Sequence, residues 1–139
     1  MRILILSFFY PPDIGPGALR AKSIVDALIK EGPPGLEIDV LTTMPNRYHS
    51  LNISASQREV SGKVSIFRFI LPKHKNNILD QSKAFASFSL SVQKFVYKKK
   101  WDIILATSGR LMTSILATWV AKQTNSKLYL DIRDLFTDT

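Results

Sequence analysis

RILILSFFYPPDIGPGALRAKSIVDALIKEGPPGLEIDVLT, residues 2–42, decides the fold. Arg2 to Ser7 is a short apolar run with β-branched members, and Phe8, Phe9, Tyr10 and two prolines that cannot join a ladder end it, so it reads as a buried strand. Ala18, Ala21, Val25, Leu28 and Ile29 then recur at helical spacing until Gly32 and Pro33-Pro34 stop the pattern. Leu36 to Thr42 alternates and turns apolar, as a second strand does. A strand, a helix and a strand in about forty residues form a crossover unit, which favours a parallel sheet.

The rest of the chain repeats the theme. Thr43 to Gln57 is polar, contains Pro45 and Asn46, and reads as a loop with room for function. Val60 to Val64 (VSGKV) predicts a tight turn between two short strands, the second running from Val64 to Leu71. From Ile78 to about Lys100 no Pro or Gly occurs, and Phe85, Phe88, Val92, Phe95 and Val96 step at three and four, predicting a long amphipathic helix whose aromatics face the core. Asp102 to Ala106 is a further strand, Leu111 to Gln123 a helix and Lys127 to Ile132 a last strand. The expected fold is therefore α/β: a Rossmann-like, open, mostly parallel sheet with helices on both faces, since a closed barrel requires far more chain.

The 139 residues fit one domain with one substantial core, and 45% hydrophobic against 22% charged residues excludes disorder as the main state. The absence of cysteine removes disulfide, zinc-ribbon and thiol chemistry and makes the cytoplasm the expected compartment. The apolar run from Ile3 to Tyr10 is too short to span a bilayer and lacks a small-residue cleavage site, so no signal peptide is expected. The net charge of +8 has an address: ten basic and two acidic residues lie between Arg58 and Lys100, and the remaining chain is neutral. Such a block suits either a solvated face or a polyanionic neighbour, whether phosphate-bearing ligand, anionic membrane or nucleic acid.

Ligands of an open parallel sheet bind outside the carboxyl ends of the strands. That rule selects Phe8 to Gly17, Thr43 to Gln57, Thr107 to Arg110 and Arg133 to Thr139. Gly15-Pro16-Gly17 stands just before a helix, a place suited to a phosphate. The dinucleotide fingerprint nevertheless fails, with Arg20 at its third glycine and Thr42-Thr43 where a ribose-binding acid belongs; no P-loop follows any strand. Arg20, placed in the first turn against the dipole, suits an anion or an ion pair with Asp13 or Asp26. At the last strand's end, Asp131 and Arg133 share a face, with Asp134 beyond, either as a local ion pair or as substrate-orienting groups. His49 and His74 have no metal-ligand spacing, so no metal is expected, and no G-x-S-x-G elbow surrounds Ser108.

Taken in order, RILILSFFYPPDIGPGALR, TTMPNRY, DIILATSG and YLDIRDLFTD resemble the amino-terminal domain of GT-B-fold glycosyltransferases, in particular the family 4 retaining enzymes of bacterial surface-polysaccharide assembly. The resemblance runs from end to end. It implies that residues 1–139 form the acceptor-side domain and that the donor-binding domain, with its E-x7-E motif, is absent from this chain, leaving the fragment inactive by itself. It implies transfer of a hexosyl-type sugar from a nucleotide-sugar, bound mainly by the other domain, to a glycan or lipid-linked acceptor, with no cofactor. Gly15, Gly17 and Arg20 are then the loop approaching the donor diphosphate, Thr107, Ser108 and Gly109 line the cleft, and Asn46, Arg47, Tyr48 and His49 lie near the acceptor. Asp131, Arg133 and Asp134 are the catalytic candidates, although many family members carry His at the position of Arg133, and arginine accepts no proton at neutral pH. Pro16 also departs from the usual Gly-Gly pair.

Two other classes compete. One is a free-standing nucleic-acid or membrane-surface module driven by residues 58–100; it lacks the aromatic RNA-binding signatures, and no nucleic acid is expected. The other is a dinucleotide-binding oxidoreductase domain, disfavoured by Arg20 and Thr43. Under the leading reading the partners are donor, acceptor, the chain's own carboxyl-terminal domain and an anionic inner membrane face, met peripherally through residues 58–100.

Overall fold

The structure, a computed structural model, describes residues 1–45, 53–73, 77–108 and 110–133, with the side chain of Ser108 also outside the description. The elements are β1 (Arg2–Leu6), α1 (Pro16–Glu31), β2 (Glu37–Thr43), β3 (Arg58–Ser61), β4 (Val64–Phe69), α2 (Ile78–Val96), β5 (Ile103–Ser108), α3 (Leu111–Thr124) and β6 (Lys127–Ile132). They form one six-stranded sheet in the order β3-β4-β2-β1-β5-β6. Every pairing is parallel except β3 with β4, a hairpin closed by Gly62-Lys63. Gly62 has φ +58°, while Lys63 does not have positive φ; this matches the II′-type turn, which suits the twist of a hairpin.

The sheet sorts its side chains by parity. Ile3, Ile5, Ile38, Val40, Val64 and Ile66 point to one face and pack against Ala21 and Val25 of α1. Leu4, Leu6, Leu41, Ile104 and Ala106 point to the other and meet Phe88, Val92 and Val96 of α2 and Leu116, Ala117 and Val120 of α3. The aromatics of α2 thus face the core, as their spacing predicts: Phe88 is fully buried, and Phe85 and Phe95 pack at its margin. Burying large side chains of this kind contributes roughly 1.5–3 kcal/mol each, which holds helices on both faces.

From β1 the chain moves to β2 and then β4 on one side, and returns to place β5 and β6 on the other side. The carboxyl ends of β1 and β5 are therefore the point where the strand order reverses. α1 leaves β1 towards one face and α3 leaves β5 towards the other, so a crevice opens between them.

Candidate functional site

The loop after β1 is fastened from several directions. Ser7 Oγ donates to the carbonyl of Phe9 at 2.6 Å, and Thr42 and Thr43 at the end of β2 donate from Oγ1 to the carbonyl of Phe8 at 3.3 and 2.8 Å. From β4, Arg68 donates to the carbonyl of Pro11 at 2.9 Å and to that of Ser56 at 2.9 Å, and pairs with Glu59 at 3.0 Å. The Arg68 side chain is only 3% exposed. Parity explains its burial: Val64, Ile66 and Arg68 share one side of β4, so an arginine sits on an apolar face and reaches the loop from beneath. Tyr10 is buried in the same loop, and burial, reinforced by the negative charge of Asp26, pushes its phenol up to about 12, so it stays neutral at physiological pH.

Fastened this way, the loop delivers Gly15 as the N-cap of α1 with φ 144° and ψ 167°, a region that side chains rarely enter. No side chain caps the helix, and Pro16 occupies N1, where a missing N–H costs nothing. The helix geometry leaves the N–H groups of Gly17 and Ala18 pointing out of the first turn. A Cβ on Gly17 would lie 3.2 Å from Nη1 and 3.4 Å from Nη2 of Arg133, so the guanidinium at the end of β6 lies directly over the start of α1.

Arg20 stands one turn further on. Its Nε and Nη2 donate to Asp131 Oδ2 and Oδ1 at 2.6 and 2.7 Å, a two-pronged pair between α1 and β6, and Thr107 Oγ1 donates to the same carboxylate at 2.8 Å. The Arg20 hydrogen bonds hold the Asp131 carboxyl below its usual range, with Thr107 and the charge of Arg133 helping and partial burial opposing; the same bonds push Arg20 up. Neither Asp13 nor Asp26 is the partner of Arg20, which corrects that expectation, and Arg20 lies beyond the first turn of a helix beginning at Pro16. The ion pair at the end of β6 likewise crosses elements instead of joining Asp131 to Arg133.

On the other side of the crevice, the Arg110 guanidinium at the N-cap of α3 lies 5.0 and 5.5 Å from the ring centres of Phe8 and Phe9. Ser108 ends β5 opposite Ile132. Gly15, Gly17, Arg20, Thr107, Asp131 and Arg133 thus gather along one rim. Asn46, Arg47, Tyr48, His49, Gly109 and Asp134, together with His74, lie outside the described residues. Among the described residues no group of three or more His, Asp or Glu is placed to hold a metal ion. No helix there is long and apolar enough to cross a membrane.

Two features of the rim are set by the fold and not by spacing in the chain. Arg68 belongs to the basic block by sequence, and the alternation of β4 turns it inward. Arg110 and the Phe8-Phe9 pair come together only through the pairing of β1 with β5.

No family model matches the chain, and no curated relative does. Among solved structures, the carboxyl-terminal domain of a hydrogenase from Pyrococcus furiosus is similar with a TM-score of 0.60 at 12% identity, over 94% of this chain and 90% of that one. Sucrose-phosphate synthase from Thermosynechococcus elongatus is similar with a TM-score of 0.58 at 13% identity, over 93% of this chain and 32% of the synthase. A UGT transferase from Siraitia grosvenorii in complex with UDP is similar with a TM-score of 0.49 at 17% identity, over 93% of this chain and 27% of that one, too distant to argue from. At these identities the likenesses establish a Rossmann-like α/β fold, one that glycosyltransferases share with other proteins. The chain spans about a third of the synthase and most of the hydrogenase domain.

Proposed function

We propose that the chain is the acceptor-side domain of a glycosyltransferase that uses a nucleotide-sugar donor and works together with a second, donor-binding domain. The observation that supports this most is the stacking of Arg133 over Gly17: a guanidinium and the first turn of α1 converge on one spot of the carboxyl rim. A departing diphosphate carries growing negative charge there, and fixed donors at that spot stabilise it more in the transition state than before it. The paired Arg20 and Asp131 act as a strut that ties α1 to β6 and so fixes both halves of the donor set.

Residue roles follow from this reading. Gly15 and Gly17 allow close backbone approach to the diphosphate, Arg133 supplies charge without accepting a proton, and Thr107 orients Asp131. On this reading Ser108 and Gly109 are assigned with Thr107 to the lining of the cleft, Asn46, Arg47, Tyr48 and His49 to acceptor binding, and Asp134 is a catalytic candidate beside Asp131 and Arg133. The class is a retaining hexosyl transfer to a glycan or lipid-linked acceptor of surface-polysaccharide assembly, without a cofactor. Exposed Ile78, Leu79, Leu90 and Tyr97 on and beside α2, interspersed with Lys83, Lys94 and Lys98, fit a peripheral approach to an anionic cytoplasmic membrane face.

The dinucleotide alternative loses support beyond its sequence pattern. Both threonines that end β2 donate their hydroxyls inward to the carbonyl of Phe8, which turns them away from the place where the fingerprint's ribose-binding acid belongs. At 12% identity the likeness to a hydrogenase domain shows the fold alone.

The test is sugar transfer by the protein containing this domain, measured with a panel of nucleoside-diphosphate sugars and a lipid extract as acceptor. Arg133→Ala is expected to slow transfer by about 10–100-fold, with Arg133→Lys recovering part of the loss. Unchanged transfer by a folded Arg133→Ala protein contradicts the reading.

A further inference from the structure

At the opposite end of the sheet from the rim lies a cavity of about 330 Å³. It opens beside the amino ends of β1 and β2, the β3–β4 hairpin and the far end of α2. Four cations line it, Arg2, Arg58, Lys63 and Lys99, against two carboxylates, Glu37 and Asp39.

The two carboxylates are already engaged. Arg2 pairs with Asp39 at 3.0 Å and with Glu37 at 3.6 Å, and Trp101 Nε1 donates to Asp39 at 2.8 Å. Arg58, Lys63 and Lys99 have no carboxylate partner among the described residues. Two of them are held by aromatic faces instead. The Arg58 guanidinium lies 5.7 Å from the Phe67 ring centre, the Lys99 ammonium lies 3.5 Å from that of Phe95, and the two rings are 4.5 Å apart. The central pair of rings thus carries a cation on each partner, and Lys63 on the hairpin turn lines the same space. Contact with an aromatic face orients a cation without neutralising it, so the positive charge remains available.

We propose that this amino-end cavity is a second binding site, separate from the rim, for a small phosphate-bearing ligand. Its size is that of a small-molecule pocket. A phosphate dianion matches three unneutralised cations from three elements, and Phe67 and Phe95 offer apolar wall to whatever the phosphate is attached to. Part of the charge block between residues 58 and 100 thereby acquires a specific address on the surface. A free phosphate ester and the headgroup of an anionic lipid share this chemistry.

The experiment is an amide NMR titration of the 139-residue chain with pyrophosphate at constant ionic strength. Saturable shifts are expected at Gly62, Lys63 and Ser65, and the double substitution Arg58→Gln/Lys99→Gln is expected to weaken them at least about tenfold. Lys83→Gln, on α2 away from the cavity, should leave the affinity within twofold. A second arm uses phosphatidylcholine vesicles with and without phosphatidic acid. Sedimentation that depends on phosphatidic acid and on Arg58 and Lys99, and is competed by pyrophosphate, identifies a lipid headgroup; protein remaining in the supernatant while the pyrophosphate shifts persist identifies a free phosphate ester. Absence of shifts at Gly62 to Ser65, shifts reproduced by sodium chloride, shifts confined to Gly17 and its neighbours, or an affinity unmoved by the double substitution overturns the proposal.

Discussion

The two ends of this sheet treat positive charge in opposite ways. At the carboxyl rim, Arg20 is bound on two prongs by Asp131, Thr107 completes the carboxylate, and Arg133 is laid over Gly17. At the amino end, Arg2 takes both carboxylates, and Arg58, Lys63 and Lys99 stand around an open cavity with no carboxylate partner among the described residues. The first arrangement uses charge to fix geometry, as the proposed transfer site would require. The second keeps charge for a ligand, as a site that only has to attract and hold one requires.

The largest expected effect tests how the rim is held. Arg68→Met removes donors from two carbonyls and from Glu59 in a buried setting, and should destabilise the domain by roughly 2–4 kcal/mol in urea unfolding. A loss below about 0.5 kcal/mol means that the loop after β1 is fastened by Thr42, Thr43 and Ser7 alone.

A smaller effect reads the strut itself. The Asp131 carboxyl titrates below its unfolded value, so its contribution to stability is present above the ordinary carboxylate pKa of about 3.9 and is lost as pH falls through the depressed value. Asp131→Asn should therefore lower the urea midpoint at pH 7, and the gap to the unaltered protein should close below about pH 4. A gap that stays constant with pH assigns the loss to something other than the ion pair.

The smallest effect belongs to the amino end. Arg58→Gln removes an exposed cation with no carboxylate partner among the described residues, so unfolding stability should stay within about 0.5 kcal/mol of the unaltered protein. A loss several times larger makes Arg58 a structural residue and narrows the contrast between the two ends.

Local patterns in the chain announced every element, because apolar runs such as Ile103 to Ala106 and the three-and-four stepping of Phe85 to Val96 are properties of neighbours in sequence. The parity of β4 even carried the signal for Arg68, an arginine two residues after an inward Ile66. Strand order is a different matter. Nothing near β1 says that β5 will pair with it across a hundred residues, and the Arg20–Asp131 pair joins positions 111 apart. Spacing offered Asp13 and Asp26 as partners for Arg20 because they are close in the chain, and the fold chose the acid that the sheet brought over α1. The charge block misled in the same way: a sum over residues 58 to 100 cannot show that Arg68 is buried at one end of β4 while Lys63 lines a cavity at the other.

Sugar transfer by the protein containing this domain, compared between Gly17→Val and Arg58→Gln, tests the division of labour most directly. A valine side chain at position 17 would press on the Arg133 guanidinium, 3.2 Å from the place of its Cβ, and push it off the first turn of α1, so that variant should lose transfer by about 100-fold or more while keeping its circular dichroism, and Arg58→Gln should stay within about twofold. Full transfer by Gly17→Val, or a loss in Arg58→Gln that equals it, contradicts the assignment of the chemistry to the carboxyl rim.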